Sequence, residues 1–142
     1  QVSMVVLPHS MHMRAAFSPG GHEVAVIGGG AAPVVAATAD GRILRRLDAE
    51  SRGYTSVAWS PVADQIVSCS NSNTIIIWDA KTGNQVSTLK GHSGQVYSVG
   101  WSANGDRIAS GSADQTIVIW DAKSGDLVST IKERAAAGFW FR

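Results

Sequence analysis

The chain has 142 residues, with 12 lysines and arginines against 11 aspartates and glutamates, so its formal net charge is +1. This balance gives no basic face for nucleic acid, and no apolar run is long enough to span a membrane. The single cysteine, Cys69, excludes an internal disulfide and favours a reducing, intracellular compartment, either cytoplasmic or nuclear.

The sequence repeats itself with a period of 42 residues. Trp59 and Trp101 are separated by this distance, as are Trp78 and Trp120, and Phe17 precedes Trp59 by the same distance. A fixed period of this length indicates a repeat architecture. We predict one domain over 1–142, whose repeated units are 7–48, 49–90 and 91–132.

Residues 1–6 are predicted to be the outer strand of a preceding unit, because Val2-Ser3 stands two periods before Val86-Ser87. They lack the basic leader and long apolar centre of a signal peptide, which is therefore not expected. Since the chain does not begin with Met, we expect it to be part of a longer protein.

The unit 7–48 is predicted to be a degenerate copy, since it has Ala36-Ala37 where the later units have Trp-Asp. Its first residues include soft metal ligands, which are His9, Met11, His12 and Met13. We interpret them as a loop and a first strand in which methionine fills the core, and we predict no metal site. Three arginines are predicted to line the solvated edge of an outer strand, namely Arg42, Arg45 and Arg46.

A glycine run in this unit imitates a dinucleotide-binding loop. Gly28-Gly29-Gly30 follows a strand-like stretch, and Asp48 lies where such folds place a ribose-binding acid. The β-branched pair Val34-Val35 argues against the helix that this fold needs next. A dinucleotide-binding enzyme fragment is therefore a third alternative, which predicts helix between Ala31 and Ala39, and no cofactor is expected.

The units 49–90 and 91–132 are predicted to contain four short strands each, and half of their aligned positions are identical. Runs rich in Val, Ile, Thr and Trp alternate with turn residues at hairpin spacing. No stretch has the 3.6-residue period of a capped helix. In the last unit the predicted strands are Val96–Ser102, Arg107–Ser112, Thr116–Trp120 and Leu127–Lys132.

The third strand of each of these units is apolar on both faces, in Ile75–Trp78 and in Ile117–Trp120. A strand with one face in water would alternate apolar and polar residues. We therefore predict small sheets that pack face to face, so that each sheet needs a neighbour. Burial of one tryptophan, ~150–250 Å², would contribute several kcal/mol at ~25 cal/mol per Å².

The polar framework of the last unit carries a family resemblance. Gly91-His92 opens the unit and Trp120-Asp121 closes its third strand, a pattern that resembles the WD-repeat β-propeller family. The match is close over 91–132, good in the strands of 49–90 and faint in 7–48. The resemblance implies an all-β fold of about three four-stranded antiparallel blades. Because propellers close with four to eight blades, we expect a fragment of a larger propeller, or one that closes by self-association.

The resemblance also implies a structural tetrad, formed by His92, Ser110, Asp114 and Trp120. Serine, histidine and aspartate could instead act as nucleophile, base and orienting acid. No nucleophile-elbow motif accompanies the serine, however, so no catalytic residue is predicted. The unit 49–90 keeps Ser68 and Trp78 but has Glu50 and Ser72 in place of the histidine and the aspartate. We therefore expect it to be held less firmly.

Family geometry further implies a docking rim, made by the loops before the first strand and the turns between the second and third strands. The candidate partner-binding residues are Arg52, Gly53, Thr55, Asn71, Gln95, Tyr97 and Ala113. Tyr97 is the best single candidate, because aromatic residues commonly dominate interface energy. The alternative is that Tyr97 only packs against a neighbouring loop.

These features together predict a non-catalytic scaffold that presents a rim to other proteins or peptides. The alternative is a propeller segment of a larger enzyme or signalling protein, with the chemistry outside this stretch. Residues 133–142 break the repeat pattern. Phe139-Trp140-Phe141 falls where the first strand of a fourth unit would lie, so the segment is predicted to be either a divergent strand or an apolar end that packs against a partner.

Overall fold

The computed structural model describes residues 13–28, 32–47 and 53–132, and these ranges contain β-strands and turns. The strands are β1 (Met13–Phe17), β2 (Glu23–Gly28), β3 (Val34–Ala37), β4 (Ile43–Arg46), β5 (Tyr54–Trp59), β6 (Gln65–Ser70), β7 (Thr74–Asp79), β8 (Gln85–Lys90), β9 (Val96–Trp101), β10 (Arg107–Ser112), β11 (Thr116–Asp121) and β12 (Leu127–Lys132). In the last unit the observed ends lie within one residue of the predicted ones. Nowhere in the described ranges is there a helix long and apolar enough to cross a membrane.

The strands form three four-stranded antiparallel sheets in which each strand pairs with the next along the chain. We call them blade 1 (β1–β4), blade 2 (β5–β8) and blade 3 (β9–β12). This arrangement confirms the predicted all-β fold of about three four-stranded antiparallel blades. The predicted outer strand at 1–6 and the segment 133–142 lie outside the described residues.

The aspartate of each Trp-Asp pair builds the turn into the fourth strand of its blade. Asp79 Oδ1 accepts the backbone N–H groups of Thr82 and Lys81 at 3.0 and 2.8 Å, and these bonds lower the pKa of its carboxyl group. Gly83 ends the turn with a φ of 78°, which glycine adopts without steric cost. Asp121 builds the equivalent turn in blade 3.

Two apolar clusters lie between the sheets, and β7 contributes to both of them. The cluster between blades 1 and 2 contains Ala25, Ile27, Val35, Leu47, Val57, Trp59, Ile66, Ile76, Trp78 and Ala80. The cluster between blades 2 and 3 contains Val67, Cys69, Ile75, Ile77, Leu89, Val96, Val99, Ile108, Val118 and Trp120. Because alternate residues of β7 face opposite blades, this strand is apolar throughout, as its sequence predicts.

Blade 1 departs from the sequence-based expectations at three places. Met13 is 51 % exposed and does not fill the core, because it lies on the edge strand β1. Arg45 lies on the edge strand β4, as predicted, but its side chain is only 24 % exposed because its guanidinium group pairs with Glu23 at 2.8 Å; Arg42 and Arg46 are exposed. The helix expected between Ala31 and Ala39 by the dinucleotide-binding alternative is wrong, because Val34–Ala37 form strand β3 and pair with β2.

The remaining residues belong to the glycine run of the dinucleotide-binding alternative and to the group of soft metal ligands. Gly28, the first glycine of the run, ends strand β2. The remaining glycines of the run, together with His9, Met11 and His12, lie outside the described residues.

Candidate functional site

Ser110 of β10 lies at the centre of a buried polar network in blade 3. Its hydroxyl oxygen accepts the indole N–H of Trp120 at 2.8 Å and lies 2.7 Å from Nε2 of His92. All three side chains are buried. Each polar group therefore depends on the others for a hydrogen bond, because water cannot replace them.

Asp114 joins this network from the turn between β10 and β11. Its Oδ2 lies 2.9 Å from Nδ1 of His92 and accepts the backbone N–H of Ser93 at 3.0 Å. Its Oδ1 accepts the hydroxyl and the backbone N–H of Thr116 at 2.5 and 3.0 Å. When Nδ1–H of His92 donates to the carboxylate, Nε2 is left to accept the hydroxyl proton of Ser110. The network is then satisfied from the indole to the carboxylate.

The electrostatics of Asp114 follow from these contacts. Burial by itself would raise the pKa of its carboxyl group, because a buried charge is poorly solvated. The hydrogen bonds from Thr116, His92 and Ser93 outweigh this effect and hold the pKa well below the ordinary value of 3.8. The carboxylate is therefore stabilised both within its own turn and by the loop before β9.

The chemical order Ser110–His92–Asp114 matches that of a hydrolytic triad, but its surroundings differ. A nucleophile must meet its substrate, whereas the hydroxyl of Ser110 is 1 % exposed and is engaged by both the indole and the imidazole. The geometry fits a group that fixes the packing of β9, β10 and β11 better than one that attacks a carbonyl.

Steric crowding explains why glycine precedes the histidine in the loop before blade 3. A Cβ atom at Gly91 would lie 2.9 Å from Cη2 of Trp120, so the buried indole leaves no room for a side chain there. The rings of His92 and Trp120 meet edge to face, with centroids 6.2 Å apart and planes at 63°. The loop before β9 is thus shaped to cover the tryptophan at the end of β11.

Blade 2 has part of the same network within the described residues. The indole N–H of Trp78 donates to Ser68 Oγ at 2.8 Å, and both side chains are fully buried. At the turn, the hydroxyl of Ser72 lies 2.8 Å from those of Ser70 and Thr74. Hydroxyl groups therefore stand where blade 3 has a carboxylate, and the position equivalent to the histidine lies outside the described residues.

Four of the predicted rim residues lie together along one edge of blades 2 and 3. The backbone N–H of Asn71 donates to the carbonyl of Gly53 at 3.2 Å, and that of Ala113 donates to the carbonyl of Gln95 at 2.8 Å. Across the two blades, the side-chain amide of Gln95 donates to Oδ1 of Asn71. Each entry loop thus contacts the turn of its own blade, and an amide pair links the two blades.

Thr55 and Tyr97 occupy the same repeat position but have different surroundings. The hydroxyl of Thr55 turns into the contact between blades 2 and 3, where it donates to the carbonyl of Val96 at 2.5 Å. Tyr97, one period later, is 53 % exposed. The structure therefore brings Thr55 to the inter-blade contact and leaves Tyr97 accessible. Arg52 lies outside the described residues.

Sequence reasoning missed the contribution of Thr116 to the buried network. Its hydroxyl donates to Oδ1 of Asp114, and its oxygen also lies 3.3 Å from Nδ1 of His92. The repeat itself could have indicated this role, because Thr74 holds the same repeat position in blade 2, where its hydroxyl contacts that of Ser72. A threonine two residues after the turn residue is thus a shared feature of both turns.

Comparison with known families gives a match that agrees with this geometry. A sequence model of the family described as WD domain, G-beta repeat matches residues 41–79 and 83–121, which together make up more than half of the chain. The two stretches are one 42-residue period apart, and each ends on the aspartate of a Trp-Asp pair. Comparison with curated proteins found no match.

Proposed function

Because the chain belongs to the WD-repeat family, whose members are typically protein-interaction scaffolds and usually non-catalytic, we propose that it is a non-catalytic scaffold that docks other proteins or peptides on its rim. The observation that carries this proposal is the amide pair between Asn71 and Gln95, which joins two blades, together with the exposure of Tyr97 two residues after Gln95. The docking surface would consist of Gly53, Asn71, Gln95, Tyr97 and Ala113, with Thr55 at its margin; Arg52, the remaining predicted candidate, lies outside the described residues.

The chemistry of the described rim residues supports a particular kind of contact. Their side chains are uncharged, and the two amides can both donate and accept hydrogen bonds. Such amides suit the backbone of a partner segment, and an exposed aromatic ring on the same blade suits an apolar side chain of that partner. A strongly charged partner would find no counter-charge among these residues.

We also propose that the buried networks serve the scaffold rather than a reaction. His92, Ser110, Asp114 and Trp120 would hold the strands of blade 3 in place, and Ser68 and Trp78 would do so in blade 2. This role is supported by their burial and by the mutual satisfaction of their polar groups. An intracellular setting, cytoplasmic or nuclear, is supported by the free, buried thiol of Cys69.

Replacement of Tyr97 by alanine tests the docking proposal. Val86→Ala is the matched control, because Val86 is also 53 % exposed but lies on the outer strand β8. Affinity capture from a native extract, with the partner identified by mass spectrometry and its binding then measured with purified components, should be weakened at least tenfold by Tyr97→Ala and unchanged by Val86→Ala. Both variants should melt within about 2 °C of the parent, as exposed substitutions usually do.

Two results would contradict the docking proposal. Equal capture by the parent and the Tyr97→Ala variant would remove Tyr97 from the docking surface. A large loss of melting temperature in Tyr97→Ala would instead assign the ring a packing role within the fold.

A further inference from the structure

Hydrogen bonds between the first strands of blades 2 and 3 tie these two blades together. Thr55 Oγ1 donates to the carbonyl of Val96 at 2.5 Å, and the backbone N–H of Val99 donates to Ser56 Oγ at 3.4 Å. In the other direction, the indole N–H of Trp101 donates to a carbonyl of β5, also at 3.4 Å. Because β9 is the edge strand of its sheet, these bonds engage backbone groups that no neighbouring strand pairs with.

A β-bulge contributes to this contact. The pairing of β5 with β6 passes from Tyr54 directly to Ser56, so Thr55 is the extra residue of a bulge. Bulges commonly re-aim the side chain of the extra residue, and here the hydroxyl of Thr55 reaches β9. Strand β1, in contrast, pairs with β2 without interruption from Met13 to Phe17. The described part of blade 1 therefore lacks the bulge that serves blade 2.

The contact between β1 and β5, two strands that are described over their whole length, has none of these hydrogen bonds. The sequence of β1 is Met-Arg-Ala-Ala-Phe, and its side chains contain no oxygen, so they offer β5 neither a hydroxyl group nor an acceptor. Trp59 stands one period before Trp101 and is only 8 % exposed, yet its indole N–H has no hydrogen-bond partner. Blade 1 thus meets the first strand of blade 2 through apolar packing.

This difference favours separation at the contact between blades 1 and 2. The apolar clusters at the two contacts have ten described buried residues each, so their size does not distinguish the contacts. Separation of blades 2 and 3 would break the bonds of Thr55 and Trp101. Separation of blades 1 and 2 would instead let water reach the indole N–H of Trp59, which is unpaired while it is buried.

We propose that the contact between blades 1 and 2 is an opening joint, at which blade 1 separates from blade 2 while blades 2 and 3 stay together. Opening uncovers the face of blade 2 that carries Trp59 and Trp78. The amide pair of Asn71 and Gln95 lies between blades 2 and 3, so it stays in place. The joint is therefore independent of the proposed docking rim.

Native-state hydrogen exchange of the full chain, followed by NMR in low concentrations of urea, tests this proposal. Ala25 on β2 and Val67 on β6 are matched probes, because they stand one period apart and both are fully buried. A small sheet needs a packed face to keep its hydrogen bonds. After correction for intrinsic rates, Ala25 should exchange at least about tenfold faster than Val67, the order of effect expected from one missing buried hydrogen bond. Its exchange should also depend less on urea than global unfolding does.

An added hydroxyl group at the joint should slow the opening. Arg14 is exposed and stands one period before Ser56, and both residues pair in the same register with the second strand of their blade. Arg14→Ser would offer an acceptor to the backbone N–H of Val57, as Ser56 does in the next blade. It should slow exchange at Ala25 at least about threefold relative to the matched control Arg14→Ala, which removes the same side chain without adding an oxygen. Neither variant should change exchange at Val67.

Three results would overturn the proposal. Equal corrected rates at Ala25 and Val67 would show that blade 1 does not separate on its own. Faster exchange in β10 than in β2 would show that the contact between blades 2 and 3 opens first. Equal exchange at Ala25 in Arg14→Ser and Arg14→Ala would show that the missing hydroxyl group does not control the joint.

Discussion

The complete network of blade 3 and the partial one of blade 2 allow a matched prediction. Ser110 and Ser68 are both buried, and each accepts a tryptophan indole at 2.8 Å. Removal of the Ser110 hydroxyl leaves two buried groups without their partner, the indole N–H of Trp120 and Nε2 of His92. Among the described residues, removal of the Ser68 hydroxyl leaves only the indole N–H of Trp78.

The expected losses in the free energy of unfolding follow from the number of buried polar groups that each substitution leaves unpaired. One unsatisfied buried group costs about 1–3 kcal/mol, and a serine-to-alanine change creates almost no cavity. We therefore expect Ser110→Ala to lower the free energy of unfolding by about 2–6 kcal/mol and Ser68→Ala to lower it by about half as much, 1–3 kcal/mol. Urea denaturation followed by tryptophan fluorescence would measure both, provided that the m-values stay equal. Equal losses, or a larger loss for Ser68→Ala, would refute the claim that blade 3 is held more firmly.

Further predictions concern ionisation and burial. Because the pKa of Asp114 is depressed in the folded state, its stabilising contribution is complete above the ordinary value of 3.8 and is lost as the pH falls below that value. Asp114→Asn should therefore flatten the acid side of the plot of unfolding free energy against pH, and an unchanged slope would contradict this. Burial raises the pKa of Cys69 to about 11, so iodoacetamide at about pH 8 should alkylate the folded chain far more slowly than the urea-unfolded chain, as mass spectrometry would detect. Comparable rates would place the thiol in solvent. Thr55→Val, which keeps the shape but removes the bond to Val96, should cost about 1 kcal/mol in a thermal melt, and no loss would show that this contact does not couple the blades.

The sequence predicted the sheets well because the repeat carries its own register. The tryptophans 42 residues apart, and the runs that are apolar on both faces, are sufficient to place β7 between two other sheets. Local pattern and global packing agree at these positions, which is why the inference succeeds.

Side-chain direction was harder to predict than the fold. The sequence gives Thr55 and Tyr97 the same repeat position, yet only Thr55 has a neighbouring blade to contact among the described residues. Arg45 was expected in solvent, but a partner 22 residues earlier, Glu23, lies beside it once β2, β3 and β4 pair. Both differences arise from contacts between elements, which a strand pattern does not specify.

The central claim is that contact between stacked blades, and not any single sheet, holds this scaffold together. Native-state hydrogen exchange followed by NMR tests it most directly, because β7 is covered on both faces whereas β12 is an exposed outer strand. The account predicts that the amides of Ile75–Trp78 exchange only through global unfolding and are the slowest in the chain, while those of β12 exchange through local opening. Exchange in β7 as fast as in β12 would contradict it.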